Sequence, residues 1–242
     1  MKFLGQHILS TKQFDKEGLI ELFETARKME KILDDAKKGK QSKILEGKLL
    51  ATLFFEPSTR TRFSFETAMQ RLGGRVISNF DMMNSSSVKK RETLLDTGKV
   101  VSQMADIIAM RHPQPGSVAE LAEGSVVPVI NGGDGPNQHP TQALLDVYTI
   151  WKNFGKIDGL TVGMVGDLKY GRVPHSQCEL LKHFDVRFIF VSPFGLAMPF
   201  DFTNELGREK RKVEETEDLE GCIAEMDVIA STRIQEERFE NK

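Results

Sequence analysis

Leu49-Leu50-Ala51-Thr52-Leu53-Phe54-Phe55, bounded by Lys48 and Pro57, is the most telling stretch of the chain. It is a near-continuous apolar run, so it reads as a strand covered on both faces, the pattern of a parallel sheet. Before it, Leu19, Phe23, Ala26, Met29 and Leu33 recur at three- and four-residue steps. That spacing predicts a helix from about Asp15 to Lys38, closed by Lys37-Lys38-Gly39. After it, a helix is expected over Thr59–Leu72, ending at Gly73-Gly74, then a strand over Arg75–Phe80 and a polar loop over 81–90. The alternation continues with a helix Glu92–Met104, a strand Ile107–Arg111, a short helix Val118–Ala122 and a strand Val126–Asn131. Gly132 to Asn137 holds too many turn formers to be an element. Pro140, suited to a first helical turn, opens a helix to Phe154.

A second series starts with a strand at Leu160–Gly166, a helix Ser176–Phe184 and a strand Val186–Ser192. A charged stretch follows, then a short helix Leu219–Met226 and a last strand Val228–Ser231. Strand–helix–strand alternation implies parallel sheets with right-handed crossovers. The expected class is α/β, with two domains, each a parallel sheet flanked by helices, the second incomplete. The expected boundaries are residues 1–140, a linking helix over 141–154, and 155–242.

The 242 residues carry 33 Lys+Arg against 35 Asp+Glu, a net charge of −2. Such a balance supplies no whole-chain field for nucleic acid or a membrane surface, so neither is expected as a partner. Any bound anion must be held by a local cluster. No window approaches the roughly 18 apolar residues of a membrane span. The N-terminus MKFLGQHILS is interrupted by Gly5, Gln6 and His7 and does not read as a secretory signal. Two cysteines, Cys178 and Cys222, exclude a disulfide framework and suggest reduced thiols in the cytoplasm.

In open α/β sheets ligands bind at the carboxyl ends of strands, so the residues just past each strand carry the functional reading. After the first stands Glu56-Pro57-Ser58-Thr59-Arg60-Thr61-Arg62. Three hydroxyls and two guanidiniums meet a helix N-terminus, which favours an anion. Arg adds bidentate grip on phosphate or carboxylate. A plain N-cap with two solvated arginines is the alternative, and five matching groups at the proper strand end argue against it. Arg111 ends the third strand, where it either enters the same crevice or stays on the surface. His139 begins a helix, whose dipole favours a neutral imidazole; a capping or core histidine is the other reading. Arg172 and Arg233 follow strands of the second series. Glycines at 163, 166 and 171 do not fit a dinucleotide loop. His175 and Cys178 lack further metal ligands nearby, so neither metal nor cofactor is expected. The sum suits group transfer from an activated phosphate, where catalysis is positioning and electrostatics.

Phe55-Glu56-Pro57-Ser58-Thr59-Arg60-Thr61-Arg62 resembles the carbamoyl-phosphate motif of the carbamoyltransferases. Arg111-His112-Pro113, His139-Pro140-Thr141-Gln142 and Gly166-Asp167-Leu168-Lys169-Tyr170-Gly171-Arg172 resemble the members of that family acting on aspartate. The likeness runs from about Leu9 to Phe239. It implies a cytoplasmic enzyme of pyrimidine biosynthesis that makes N-carbamoyl-L-aspartate and phosphate from carbamoyl phosphate and L-aspartate. It implies a carbamoyl-phosphate domain, an aspartate domain, a cleft site, and a homotrimer with sites shared between subunits; regulatory chains are a further partner it allows. Carried over, Ser58, Thr59, Arg60, Thr61 and Arg111 hold the phosphate. Thr61, Arg111 and His139 reach the carbonyl oxygen, and Gln142 the carbamoyl amide. Ser86 and Lys90 enter from a neighbouring subunit, which replaces the plain reading of their loop as solvated. The choice of Ser86 over Ser85 or Ser87 rests on counting back from Lys90. Arg172, Arg233 and Gln235 hold the aspartate carboxylates, Lys90 joining them.

Two departures from the family pattern stand out. Val173-Pro174 occupies a place where Thr-Val is usual, so a hydroxyl is absent there. No His-Pro-Leu-Pro-type loop occurs before Lys242, so a C-terminally shortened form is expected. Ornithine carbamoyltransferase, or an inactive binding or assembly subunit, are the rival readings. Arg172 and Arg233 favour a dicarboxylate over ornithine.

Overall fold

A computed structural model describes residues 3–79, 81–82, 92–208 and 211–234. Among these residues the chain forms two compact units divided between Thr141 and Gln142, with residues 14–16 grouped with the second.

The first unit holds the parallel strands β1 (Leu49–Phe54), β2 (Arg75–Asn79), β3 (Ile107–His112) and β4 (Val129–Asp134), in the order β2-β1-β3-β4. The helices are α1 (Lys16–Lys37), α2 (Thr59–Arg71), α3 (Leu94–Val101) and α4 (Ser117–Gly124). The apolar run behaves as a doubly covered strand should. Ala51, Leu53 and Phe55 join one buried cluster with Ile108, Met110, Val118, Leu121 and Val129. Leu50 joins another with Met69 and Ala109, on which Phe65 and Val76 pack.

α5 (Pro140–Phe154) leads into the second unit. There β5 (Thr161–Val165), β6 (Arg187–Val191), β7 (Lys212–Thr216) and β8 (Val228–Ser231) pair in parallel, in the order β7-β6-β5-β8. The accompanying helices are α6 (Arg172–Leu181), α7 (Phe200–Arg208) and α8 (Leu219–Cys222). Ile189, Val191 and Cys222 pack with Val165, Leu219 and Met226.

Several expectations are corrected. Gly132-Gly133-Asp134 is not loop but the end of β4, which starts later than expected, at Val129. Glycine suits both places: a Cβ on Gly132 would lie 3.2 Å from the Met110 carbonyl oxygen and 3.3 Å from the Phe65 ring, and Gly133 has φ +119°. α3 begins only at Leu94, because the Thr93 hydroxyl accepts from the Asp96 amide as its cap. α6 begins at Arg172 rather than Ser176, with Pro174 tolerated in its first turn. The charged stretch contains α7 and the edge strand β7, whose Lys212, Glu214 and Glu215 are exposed. Charged side chains on such an edge discourage further pairing.

Candidate active site

In the first sheet the strand order reverses between β1 and β3, the place where an open α/β sheet leaves a crevice at its carboxyl end. Phe54 is the register partner of Arg111, and the Phe55 amide donates to the Arg111 carbonyl at 2.9 Å. The predicted stretch 56–62 and Arg111 therefore leave adjacent strand ends side by side. Arg111 Nε donates to Glu56 Oε1 at 2.6 Å, both side chains being mostly buried. Sequence reasoning assigned Glu56 no role; only its position beside the hydroxyl-rich stretch could have suggested one.

Ser58 occupies the N-cap of α2 with extended backbone, yet its hydroxyl makes no capping bond. The first-turn amide hydrogens have no partner within a helix, so this end keeps its affinity for an anion. Thr59 and Arg60 are exposed, and Thr61 is half-buried. Thr61 is also tied to the end of β4: its Cγ2 lies 3.5 Å from where a Gly132 Cβ would be. Arg62 is not a solvated cation; its Nε stands 3.6 Å from Glu66 Oε1. Glu66 in turn accepts from Thr52 at 3.0 Å and Ser78 at 2.7 Å, which fixes α2 against β1 and β2.

Past β4, the buried Asp134 carboxylate organises the approach to α5. It accepts from the Gly116 amide at 3.1 Å, Asn131 Nδ2 at 3.1 Å, Asn137 Nδ2 at 2.9 Å and the Gln138 amide at 3.0 Å. Gln138 Oε1 accepts from the Thr11 hydroxyl at 3.0 Å. This scaffold delivers His139, itself buried, to the start of α5. His112 lies buried against the Phe55 ring, centroids 4.7 Å apart. Burial pushes its pKa down, and its Nδ1 accepts from the Gln114 amide, so it is a neutral packing residue.

In the second sheet the order reverses between β5 and β8. Gly166 follows β5 at φ +117°, pressed against the Thr232 carbonyl past β8. The Thr232 amide donates to the Val165 carbonyl at 2.8 Å. Arg172 is the first residue of α6, and Arg233 follows Thr232. So the two predicted aspartate-binding arginines follow the two strands at this reversal. Asp167, fully buried, accepts from the Tyr170 amide at 2.9 Å and shapes the turn into α6. His175 Nε2 lies 2.7 Å from the Leu168 carbonyl, and Cys178 is buried beside Met164. Among the described residues no three His, Cys, Asp or Glu side chains gather as a metal site.

Gln142 lies in the first turn of α5 with its Nε2 on Asp146 Oδ1 at 2.9 Å. Ser86, Lys90 and Gln235 lie outside the described residues.

Residues 6–152 match the family model for the carbamoyl-phosphate-binding domain of aspartate and ornithine carbamoyltransferases. The aspartate carbamoyltransferase catalytic subunit of Thermococcus kodakarensis is 52% identical over 239 residues, covering 99% of this chain and 76% of that one. The chain belongs to the aspartate carbamoyltransferase family. The crystal structure of the Methanocaldococcus jannaschii catalytic subunit superposes with a TM-score of 0.90 at 50% identity, over 99% of this chain and 76% of that one. Aspartate transcarbamoylase from Trypanosoma cruzi, in complex with carbamoyl phosphate and aspartate, gives 0.89 at 37% identity, over 98% and 74%. No helix among the described residues is long and apolar enough to cross a membrane.

Proposed function

We propose that this chain transfers the carbamoyl group of carbamoyl phosphate to the α-amine of L-aspartate, giving N-carbamoyl-L-aspartate and phosphate. The observation that carries this reading is the junction at β1 and β3, where the uncapped start of α2 and Arg111 leave adjacent strand ends. Ser58, Thr59, Arg60, Thr61 and Arg111 hold the phosphate, with amide hydrogens of the helix start. Gln142 takes the carbamoyl amine. Arg172 and Arg233 hold the two carboxylates of aspartate, with Gln235 and Lys90. Ser86 and Lys90 come from a neighbouring copy in a homotrimer. The location is the cytoplasm, in keeping with two buried free thiols.

The neutral amine of aspartate attacks the carbonyl carbon. Negative charge grows on the carbonyl oxygen, where Thr61, Arg111 and His139 stabilise it. The C–O bond to phosphate then breaks, and the leaving phosphate takes the amine proton. Reactants held in line supply most of the acceleration, with no covalent adduct to the protein.

The test is phosphate release from carbamoyl phosphate with aspartate or with ornithine. Release with aspartate alone supports the reading. Release with ornithine alone replaces it, and release with neither overturns it for this chain. Light scattering should give three times the 27.2 kDa chain mass.

A further inference from the structure

Gln142 and Asp146 are one turn apart on α5, so their side chains meet on the same face. Gln142 Nε2 donates to Asp146 Oδ1 at 2.9 Å. From α6, the buried Gln177 donates through Nε2 to the other oxygen, Oδ2, at 2.8 Å. Each oxygen of one carboxylate is thus taken by one amide nitrogen.

This pairing does something that shape alone cannot. The two ends of a glutamine amide are nearly equal in size, so packing does not choose between them. An ionised carboxylate only accepts hydrogen bonds. It therefore admits the nitrogen of Gln142 and refuses the oxygen. Turning Gln142 over would set its oxygen against Asp146 Oδ1, and Gln177 already occupies Oδ2. Burial pushes the Asp146 pKa up, while the two amides pull it down.

With Nε2 committed, the end of Gln142 that points away from Asp146 is the acceptor Oε1. On carbamoyl phosphate the carbonyl and the phosphate only accept; the amine is the donor. We infer that Asp146 is a positioning residue: by holding Gln142 Nε2 it presents Gln142 Oε1 to the carbamoyl amine, and so makes the chain prefer carbamoyl phosphate over acyl phosphates without an N–H. This rests on the assignment of Gln142 to the amine given above. Asp146 does not touch substrate in this account. Its effect runs through the amide it orients, with Gln177 holding the carboxylate in place from the second helix.

The test compares carbamoyl phosphate with acetyl phosphate, which carries a methyl group in place of the amine. The variants are Asp146→Ala, Gln142→Ala and the double variant, with thermal melts to confirm folding. For carbamoyl phosphate, kcat/KM with aspartate should fall about tenfold in Asp146→Ala, the scale of one misplaced hydrogen bond. The inhibition constant of acetyl phosphate should move less than about twofold, because no amine is there to be read. The double variant should be no worse than Gln142→Ala alone, since both changes remove one interaction. A merely structural role would weaken both ligands together, and that result overturns the proposal, as does an Asp146→Ala variant that keeps full preference for carbamoyl phosphate. If Gln142→Ala weakens carbamoyl phosphate and acetyl phosphate equally, the assignment of Gln142 to the amine is what falls. If Gln142→Ala weakens carbamoyl phosphate selectively and Asp146→Ala leaves the preference intact, only the orienting role falls. Should Asp146→Ala not fold, Asp146→Asn serves: its single oxygen must choose between two glutamines, so a partial, amine-specific loss is expected and an unchanged preference is fatal.

Discussion

Arg111 Nε sits 2.6 Å from Glu56 Oε1, a close ion pair across the ends of two neighbouring parallel strands. The carboxylate ties Arg111 to the end of β1 and also leaves a negative charge beside the proposed phosphate site. Arg111→Ala should therefore do more than remove one phosphate contact, because it strands Glu56 without its cation. Turnover should fall about a hundredfold to a thousandfold, the scale of one lost charge-stabilising donor. Adding Glu56→Gln to Arg111→Ala should partly restore binding of inorganic phosphate, measured by calorimetry. If the double variant binds phosphate no better than Arg111→Ala, the carboxylate does not sense the anion.

Arg60 tests the helix end itself. It is exposed at the first turn of α2, so its loss should leave the melting temperature nearly unchanged. Turnover should nonetheless drop by about three orders of magnitude, because charge on the departing phosphate loses a guanidinium. Steady-state assays beside a thermal melt separate these effects. Near-normal kinetics would remove Arg60 from the machinery.

His112 gives the fold a pH dependence. Burial holds its pKa below the ordinary value, so the folded chain takes up its proton less readily than the unfolded chain does. Its stabilising share is therefore present above about pH 6.5 and is lost as pH falls through the lowered folded value. His112→Asn keeps an acceptor for the Gln114 amide and removes the titration. Melting temperatures recorded from pH 5 to 7.5 should fall less steeply on acidification in this variant. An identical slope would mean that other groups set the acid limb.

What could be read in advance follows from where the signal is local. The run from Leu49 to Phe55 announced a covered parallel strand because both its faces pack apolar side chains. The stretch 58–61 reads as an anion site because hydroxyls and arginine at a strand-to-helix turn have few other uses, and it does open α2 past β1. β7 was illegible, since Lys212, Glu214 and Glu215 are what an exposed edge strand carries and look like a charged loop. The end of β4 was misread because Gly132 is needed for close approach to Met110 and Phe65, a tertiary cause. The place of Glu56 beside the end of β1 was missed for the same reason. Its partner, Arg111, lies 55 residues away.

Gly166 should be the least tolerant position of the second sheet. Its φ of +117° disfavours any side chain, and an added Cβ would lie 2.1 Å from the Thr232 carbonyl oxygen. Gly166→Ala should destabilise by about 3 kcal/mol or more, from strain and clash together. Since Thr232 precedes Arg233, aspartate use should decline even where the variant folds. Chemical denaturation and the KM for aspartate measure the two effects. A variant with unchanged stability would mean that the β5–β8 junction yields freely.

Arg172 separates the two halves of the chemistry. It opens α6 in the second unit, while the proposed phosphate residues Ser58 to Thr61 and Arg111 belong to the first. A guanidinium facing a carboxylate contributes through charge and paired hydrogen bonds, so Arg172→Ala should raise the KM for aspartate about a hundredfold. Lysine supplies the charge without the planar fork, so Arg172→Lys should recover only part of that loss. Binding of inorganic phosphate should stay within about twofold in both variants, because none of its proposed ligands is touched. The pairing of results decides the matter. Aspartate binding lost with phosphate binding retained fits a second-unit carboxylate site, whereas parallel loss of both would mean that Arg172 supports the fold or the phosphate instead.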